Sequence, residues 1–148
     1  MAFISATRLR VCSALYQPQF YWYVFRTSRQ AKRAPGFRGG KLLGEAKRIF
    51  WTMTAWETEA AMHEYRNSSA HRRAMPKLLD WCDEASIAHW HQESLELPNW
   101  QEAYRRMVAE GRMSKVKHPS PAQVAKQIAE PKVGERNGIT LTPAQAQS

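Results

Sequence analysis

Two side chains near the middle of the sequence, His71 and Tyr65, have chemistry suited to a reactive or binding site. A neutral imidazole is a common metal ligand and a general base near neutral pH, and a phenol can orient an acceptor oxygen of a bound molecule. The helical stripe that contains His71 also contains Met75, Leu78, Leu79 and Cys82. A histidine that packs at a helix start and an ordinary buried tyrosine fit the same spacing, so both alternatives stay open.

The spacing of His89 and His91 places both imidazoles on one face of a predicted strand, as a metal pair requires. No carboxylate or thiolate stands at an obvious third ligand position, so we predict no metal site. The sequence also lacks a glycine-rich phosphate loop, a nucleophile elbow and a zinc signature. These patterns leave His71 and Tyr65 as the main candidates for chemistry.

Basic residues are concentrated in one part of the chain, whose net charge is +9. Between Arg26 and Arg48 there are eight Lys or Arg residues and a single acid, Glu45. Such a block can attract nucleic acid or an anionic membrane surface through the basic first helix, and a solvated helix face is the simpler alternative. We favour the simpler alternative, because the aromatic run Phe20–Phe25 has the pattern of a helix core rather than of stacking platforms.

The sequence predicts a cytoplasmic protein. Its longest apolar run, Phe20–Phe25, is far shorter than the roughly 20 residues of a membrane-spanning helix. The first residues place no basic segment ahead of an apolar one, as a signal peptide would. Cys12 and Cys82 form no CxxC pair, so we expect both to be reduced and structural.

Alternating and helical patterns predict an α+β domain. The predicted order is strand, helix, strand, strand, helix, strand, which is the βαββαβ arrangement of a ferredoxin-like fold. The strands are predicted at 3–11, 41–46, 49–56 and 86–90, and the helices at 18–34 and, with a break at 67–69, from Thr58 past Pro76. The 43% hydrophobic content is enough for a normal core.

The strand Ile49–Trp56 is apolar on both faces, and two helices of one subunit can cover only one of them. We therefore expect a homodimer that buries the outer face of a four-stranded sheet. Residues 1–97 are predicted to form this domain, and 98–112 a helix that packs on it, capped by Asn99. Residues 113–148 contain few large apolar side chains, so we expect a largely extended or disordered tail that is dispensable for folding.

Several motifs in this order resemble the antibiotic biosynthesis monooxygenase superfamily of dimeric α/β barrels. They are the turn Ala34–Phe37, Gly39–Gly40, the strand Phe50–Trp56, the helix Glu59–Met62, then Tyr65–Arg66, Ser68 and Ala70–His71. The resemblance covers residues 3–93 and implies a dimeric barrel. Its members include cofactor-free oxygenases of aromatic polyketides, haem-degrading enzymes, decyclases and proteins with no known activity, so the fold alone does not specify a reaction.

The resemblance also bears on individual residues. Haem-degrading members use an Asn on the first strand and a Trp and a His on the second helix, and these places fall on Thr7, Tyr65 and Met75 here. The axial histidine is thus absent at its expected position, although His71 lies one turn earlier on the same stripe. The first helix, which runs into Arg33–Phe37, is similar to that of spheroidene monooxygenase, a haem-dependent carotenoid ketolase. Proteins known only as domains of unknown function are similar too.

From these observations we predict a monooxygenase-like enzyme that acts on an aromatic or polyene small molecule between helices and sheet. His71, Tyr65 and Thr7 are the predicted catalytic residues. Phe20, Trp51 and Met75 are the predicted substrate contacts. We favour a reaction without a cofactor, with haem as the alternative. A non-catalytic dimeric binding or interaction protein of the same fold remains the competing hypothesis.

Overall fold

Two alternating strands, β1 (Ala2–Val11) and β3 (Ile49–Trp56), form the centre of the computed structural model, which describes residues 1–134 and 138–144. They pair antiparallel, with Ser5 opposite Thr54 and Thr7 opposite Thr52. The outer strands are β2 (Phe37–Glu45), β4 (Cys82–Gln92), β5 (Arg112–Met113) and β6 (Gly138–Leu141). The sheet order is β5-β4-β1-β3-β2-β6, and every neighbouring pair is antiparallel.

Helices occupy both faces of this sheet. They are α1 (Gln17–Arg33), α2 (Glu59–Arg66), α3 (Ser69–Trp81), α4 (Trp100–Glu110) and the short α5 (Pro121–Val124). The hydroxyl of Thr58 caps α2, and the amide oxygen of Asn99 caps α4, the second as the sequence predicts. The α+β ferredoxin-like fold is therefore confirmed, with six strands where the sequence predicted four.

The β2–β3 connection has a backbone conformation that its residue types do not favour. Lys47 and Arg48 have φ of 63° and 64°, the left-handed conformation of a tight hairpin turn, although neither is glycine. Gly39 and Gly40, which precede the strand predicted at 41–46, lie inside β2. A Cβ atom on Gly40 would come within 3.2 Å of the Met53 carbonyl oxygen, so the close strand approach explains the glycine.

The outer face of the sheet is covered by the chain itself. Trp100, Ala103 and Met107 of α4 pack on Trp51, Met53 and other apolar residues of the central strands. Leu97 and Ile128 extend this cover. The sequence-based argument for a homodimer was therefore wrong, because α4 fills the place assigned to a second subunit. The homodimer itself stays a prediction, now without an assigned surface.

The tail also differs from the expectation of a loosely extended segment. Gln123 is buried, and its side-chain amide makes three hydrogen bonds, to the N–H and carbonyl of Ala85 and to the Ser114 carbonyl. Farther on, β6 pairs with β2, and Leu141 joins the core next to Phe37. The tail predicted at 113–148 is therefore anchored to the domain through Gln123 and through β6.

Two further expectations concern cysteines and membranes. Cys12 and Cys82 are both free, and burial raises the pKa of the Cys82 thiol to about 12, which keeps it in the unreactive thiol form. Within the described ranges, no helix combines the length and the apolar character needed to span a bilayer.

The cover formed by α4 predicts a large cost for Trp100→Ala. Trp100 is 8% exposed, and its truncation should lower the free energy of unfolding by about 3–5 kcal/mol, because a cavity opens above Trp51. The matched control on the same helix is Val108→Ala, at a side chain that is 60% exposed, with an expected change within about 0.5 kcal/mol. Urea denaturation measures both, and similar small costs would contradict the packing of α4.

The anchored tail predicts that Gln123→Ala is destabilising. The substitution leaves the N–H of buried Ala85 without its side-chain partner, which should cost about 2 kcal/mol, while the Ala85 carbonyl keeps the hydrogen bond from the Ser114 N–H. Gln127→Ala, at an exposed side chain four residues later, is the control and should be nearly neutral. If the two variants unfold at the same urea concentration as the parent chain, the tail is dispensable as the sequence suggested.

Candidate functional site

A cavity of about 390 Å³ lies between the sheet and helices α1, α2 and α3. Its floor is the half-polar face of β1 and β3, formed by Ser5, Thr7, Leu9, Thr52 and Thr54. Because side chains alternate along a strand, these residues share one face while the apolar residues between them turn to α4. The polar alternation of β1 thus creates a cavity floor.

Five of the six predicted site residues line this cavity. They are Thr7, Phe20, Tyr65, His71 and Met75. The sixth, Trp51, was wrongly assigned: it lies on the other face of the sheet, fully buried, with its ring centroid 6.5 Å from that of Trp100. Its indole N–H donates to the Glu45 carboxylate at 2.9 Å. Trp51 is therefore part of the core beneath α4.

His71 is held in one orientation at the start of α3. Its Nδ1 lies 3.3 Å from the Arg66 carbonyl oxygen, and because a carbonyl only accepts, the imidazole hydrogen resides on Nδ1. The lone pair is then on Nε2, as a general base or a metal ligand requires. Burial, together with the charge of Arg66, lowers the pKa of His71, while the hydrogen bond to the carbonyl opposes this shift. The ring is therefore neutral at physiological pH.

Tyr65 has a more restricted role than the sequence suggested. Its hydroxyl donates to the Thr27 carbonyl oxygen at 3.1 Å, and its ring packs 4.9 Å from that of His71 and 5.0 Å from that of Trp56. Burial raises the pKa of the phenol well above its ordinary value of 10.0. Because its hydrogen is engaged, Tyr65 offers a ligand an aromatic edge and an acceptor oxygen, but not a free donor.

The hydroxyls of Thr7 and Thr52 are two of the available polar groups on the floor. They lie opposite each other on β1 and β3, and neither is hydrogen-bonded to another described side chain or backbone group. Thr54, by contrast, accepts the indole N–H of Trp56 at 2.9 Å, and Thr27 donates to the backbone of its own helix. Thr7 and Thr52 can therefore donate to a bound molecule or accept from it.

Gln30 on α1 is a positioning residue that the sequence did not reveal. Its amide nitrogen donates to the carbonyls of Tyr65 and Ser68, at 3.0 and 2.8 Å, and its oxygen accepts the His71 N–H at 2.9 Å. Gln30 thus ties α1 to the junction where α2 ends and α3 begins. Nothing in the sequence pairs residues 41 positions apart, so only the structure shows that Gln30 positions His71.

The pair His89 and His91 does not form a metal site. Phe3 packs against both rings, with centroid distances of 5.3 and 5.0 Å. Over residues 1–134 and 138–144, no group of three His, Cys, Asp or Glu side chains is placed to hold a metal ion. Among the described residues that line the cavity, Nε2 of His71 is the imidazole nitrogen suited to an axial haem ligand, because Nδ1 is already oriented by a carbonyl.

Residues 6–115 match the family model described as "Domain of unknown function (DUF3291)". The chain belongs to the DUF3291 family. No curated protein sequence matches this DUF3291 chain. Its assignment to a family therefore rests on the match from Ala6 in β1 through β5, which includes the cavity floor on β1 and β3 except Ser5.

Solved structures share the fold of this DUF3291 chain at low identity. A putative antibiotic biosynthesis monooxygenase from Nitrosomonas europaea has a TM-score of 0.56 and 15% identity, over 62% of this chain and 90% of that one. SnoaB, a cofactor-independent oxygenase from Streptomyces nogalater, has a TM-score of 0.53 and 18% identity, over 66% and 98%. A conserved protein from Methanosarcina mazei has a TM-score of 0.56 and 14% identity, over 63% and 94%. The resemblance to monooxygenase-like proteins is confirmed for the fold.

The lowered pKa of His71 predicts how stability depends on pH. The free energy of unfolding is highest above pH 6.5, the ordinary pKa of a histidine, because His71 is then neutral in both the folded and the unfolded chain. It decreases as the pH falls, because the unfolded chain then binds a proton at His71 that the folded chain does not. The melting temperature of this DUF3291 chain should therefore fall on acidification from pH 7.5 to 5.5, and less steeply in His71→Asn. His118→Asn, at an exposed histidine, is the control and should retain the full parental acid loss. Equal slopes in all three proteins would contradict a buried neutral His71.

Proposed function

We propose that the protein is a monooxygenase-like enzyme whose substrate is an aromatic or polyene small molecule bound in the cavity. The observation that carries the proposal is the position of His71, a neutral base in a fixed tautomer beside an apolar cavity with hydroxyls on its floor. Such an arrangement can remove a proton from an activated carbon or hydroxyl of the substrate and hold the resulting anion.

The shape and lining of the cavity support an apolar substrate. Phe20, Val24, Met75 and Leu78 supply its wall, and the rings of Phe20 and Phe50 pack 4.7 Å apart at one end. Flat conjugated molecules bind well to such walls, because stacking on aromatic edges adds to the burial of apolar area. Thr7 and Thr52 would orient one oxygen of the substrate above the floor.

The proposed reaction needs no reductant besides the substrate. His71 accepts a proton at Nε2 from an activated CH₂ group, and the resulting carbanion transfers electrons to dioxygen. One oxygen atom replaces the two hydrogens to give a ketone, and the other leaves as water, so atoms and electrons balance. The shared fold with a cofactor-independent oxygenase supports this scheme by analogy.

Haem is the alternative means of oxygen activation, and His71 is the residue that would hold it. When bound, haem supplies the redox chemistry that the side chains of this chain lack. A non-catalytic binding protein, as a monomer or as the predicted homodimer, would use the same cavity without turnover. Absorption in the Soret region of the purified protein decides the haem alternative.

Turnover of anthrone, a three-ring ketone with an acidic CH₂ group, tests the proposal. Oxygen uptake and anthraquinone formation above the protein-free rate should fall about a hundred-fold in His71→Asn, because a placed base is lost while the hydrogen bond to Arg66 can be retained. His118→Asn is the control and should retain the parental rate.

The outcomes separate the alternatives. Anthrone that binds and is not oxidised would establish the non-catalytic alternative. Equal turnover in His71→Asn and the parent chain would remove His71 from the mechanism. Light scattering on the same samples tests the homodimer, because a mass near 17.1 kDa is that of one chain.

A further inference from the structure

The charged side chains around the cavity have one sign. Among the described residues, its lining includes the cationic side chains of Arg66, Arg112 and Lys115 and no Asp or Glu. In the part of the chain that the structure describes, the ion pairs that form involve other arginines and lysines. Three like charges around one cavity repel each other, so their placement favours an anion between them.

Arg66, at the end of α2, is oriented but not neutralised. One guanidinium nitrogen donates to Nδ1 of His63 at 2.8 Å, and His63 reaches the Glu59 carboxylate through Nε2 at 3.3 Å. The Glu59 carboxylate thus reaches Arg66 only through the His63 ring. The Nε–H of Arg66 is buried and has no hydrogen-bond partner. A buried charged donor without a partner is costly, and a ligand oxygen would remove that cost.

His89 gives a second, independent indication. It lies on β4 opposite Ser5 on the cavity side of the sheet, and its Nε2 is also buried without a partner. Arg112 is opposite Ile87 on the β4–β5 ladder, so its side chain starts from the same face. Burial, and then the charges of Arg66 and Arg112, lower the pKa of His89. Both guanidinium groups therefore act on the region where His89 lies.

The other end of the cavity is apolar. Leu9, Phe20, Val24 and Leu78 pack together beside Val116. Leu9 is four residues from Ser5 on β1, which is about 14 Å along the strand. Arg66 acts on His89 at the Ser5 end of the cavity, and the apolar cluster lies toward the Leu9 end, so the two are separated by roughly the length of a small multi-ring molecule; Lys115, next to Val116, lies near the apolar cluster.

We propose that the molecule bound in this cavity is an aromatic carboxylate, whose anionic group is held by Arg66 and Arg112 and whose rings extend toward Phe20 and Leu78. The proposal rests on the proposed function for the apolar part of the ligand, and it adds the charge class of that ligand. Guanidinium groups suit this task, because their fork of donors matches the two oxygens of a carboxylate. Lys115 contributes charge without such a geometric requirement.

Binding of 2-naphthoate and of its neutral analogue 2-naphthamide, measured by isothermal titration calorimetry, tests this proposal. The two probes have the same rings and nearly the same shape, so the ratio of their affinities isolates the charge. The parent chain should bind the carboxylate at least about tenfold more tightly, as charge-assisted hydrogen bonds imply. Arg66→Gln and Arg112→Gln should each reduce the ratio toward one.

Arg73→Gln is the matched control, because it removes the same charge from an exposed position on α3 that does not line the cavity. It should retain the parental ratio. An equal reduction of the affinity ratio in Arg73→Gln would show that net charge alone attracts the carboxylate, and it would overturn the proposal.

Equal binding of both probes by the parent chain would also overturn it. The cavity would then still bind aromatic rings, so the proposed function would survive. If neither probe binds, both proposals fail. Arg112 is exposed, so its variant remains informative even if Arg66→Gln fails to fold.

Discussion

The difference between the two faces of the β1–β3 pair determines the rest of this structure. One face presents Ile4, Ala6, Trp51 and Met53, which must be sealed from water, and α4 seals it within the same chain. The other face carries hydroxyls, which helices cannot pack against without leaving polar groups unsatisfied. The helices over that face therefore leave a cavity, and the side chains suited to chemistry surround it.

The positions of α3 and His71 over the cavity depend on side-chain hydrogen bonds rather than on apolar packing. Apolar contacts are non-directional, so they permit α3 to shift relative to α1. The amide of Gln30 removes this freedom, because its nitrogen and oxygen are bonded on both sides of the α2–α3 junction. The Arg66 carbonyl in the same junction orients His71. A base whose tautomer and position are both fixed is what proton transfer requires.

Local pattern predicted the fold well, and it predicted only part of the site. Period two in β1 and the stripe through His71 and Met75 identified residues that share the cavity. The alternating pattern of β3 does not show which of its faces adjoins the cavity, and Trp51 was therefore assigned to the wrong face. The apolar stripe of α4 likewise predicts that this face of the helix is buried, but it does not predict which surface the helix packs on. Gln30 and Gln123 make contacts about 40 residues away, for which the sequence has no local signal.

The cationic end of the cavity and the neutral base are coupled through Arg66. In the free protein, the charge of Arg66 adds to burial in lowering the pKa of His71, which keeps the base unprotonated. A carboxylate bound at Arg66 would offset that charge and raise the pKa of His71 toward its ordinary value. The base would then become stronger when the ligand is present, since basicity follows pKa. The group proposed to hold the substrate would thus also regulate the group proposed to react with it, without any movement of the backbone.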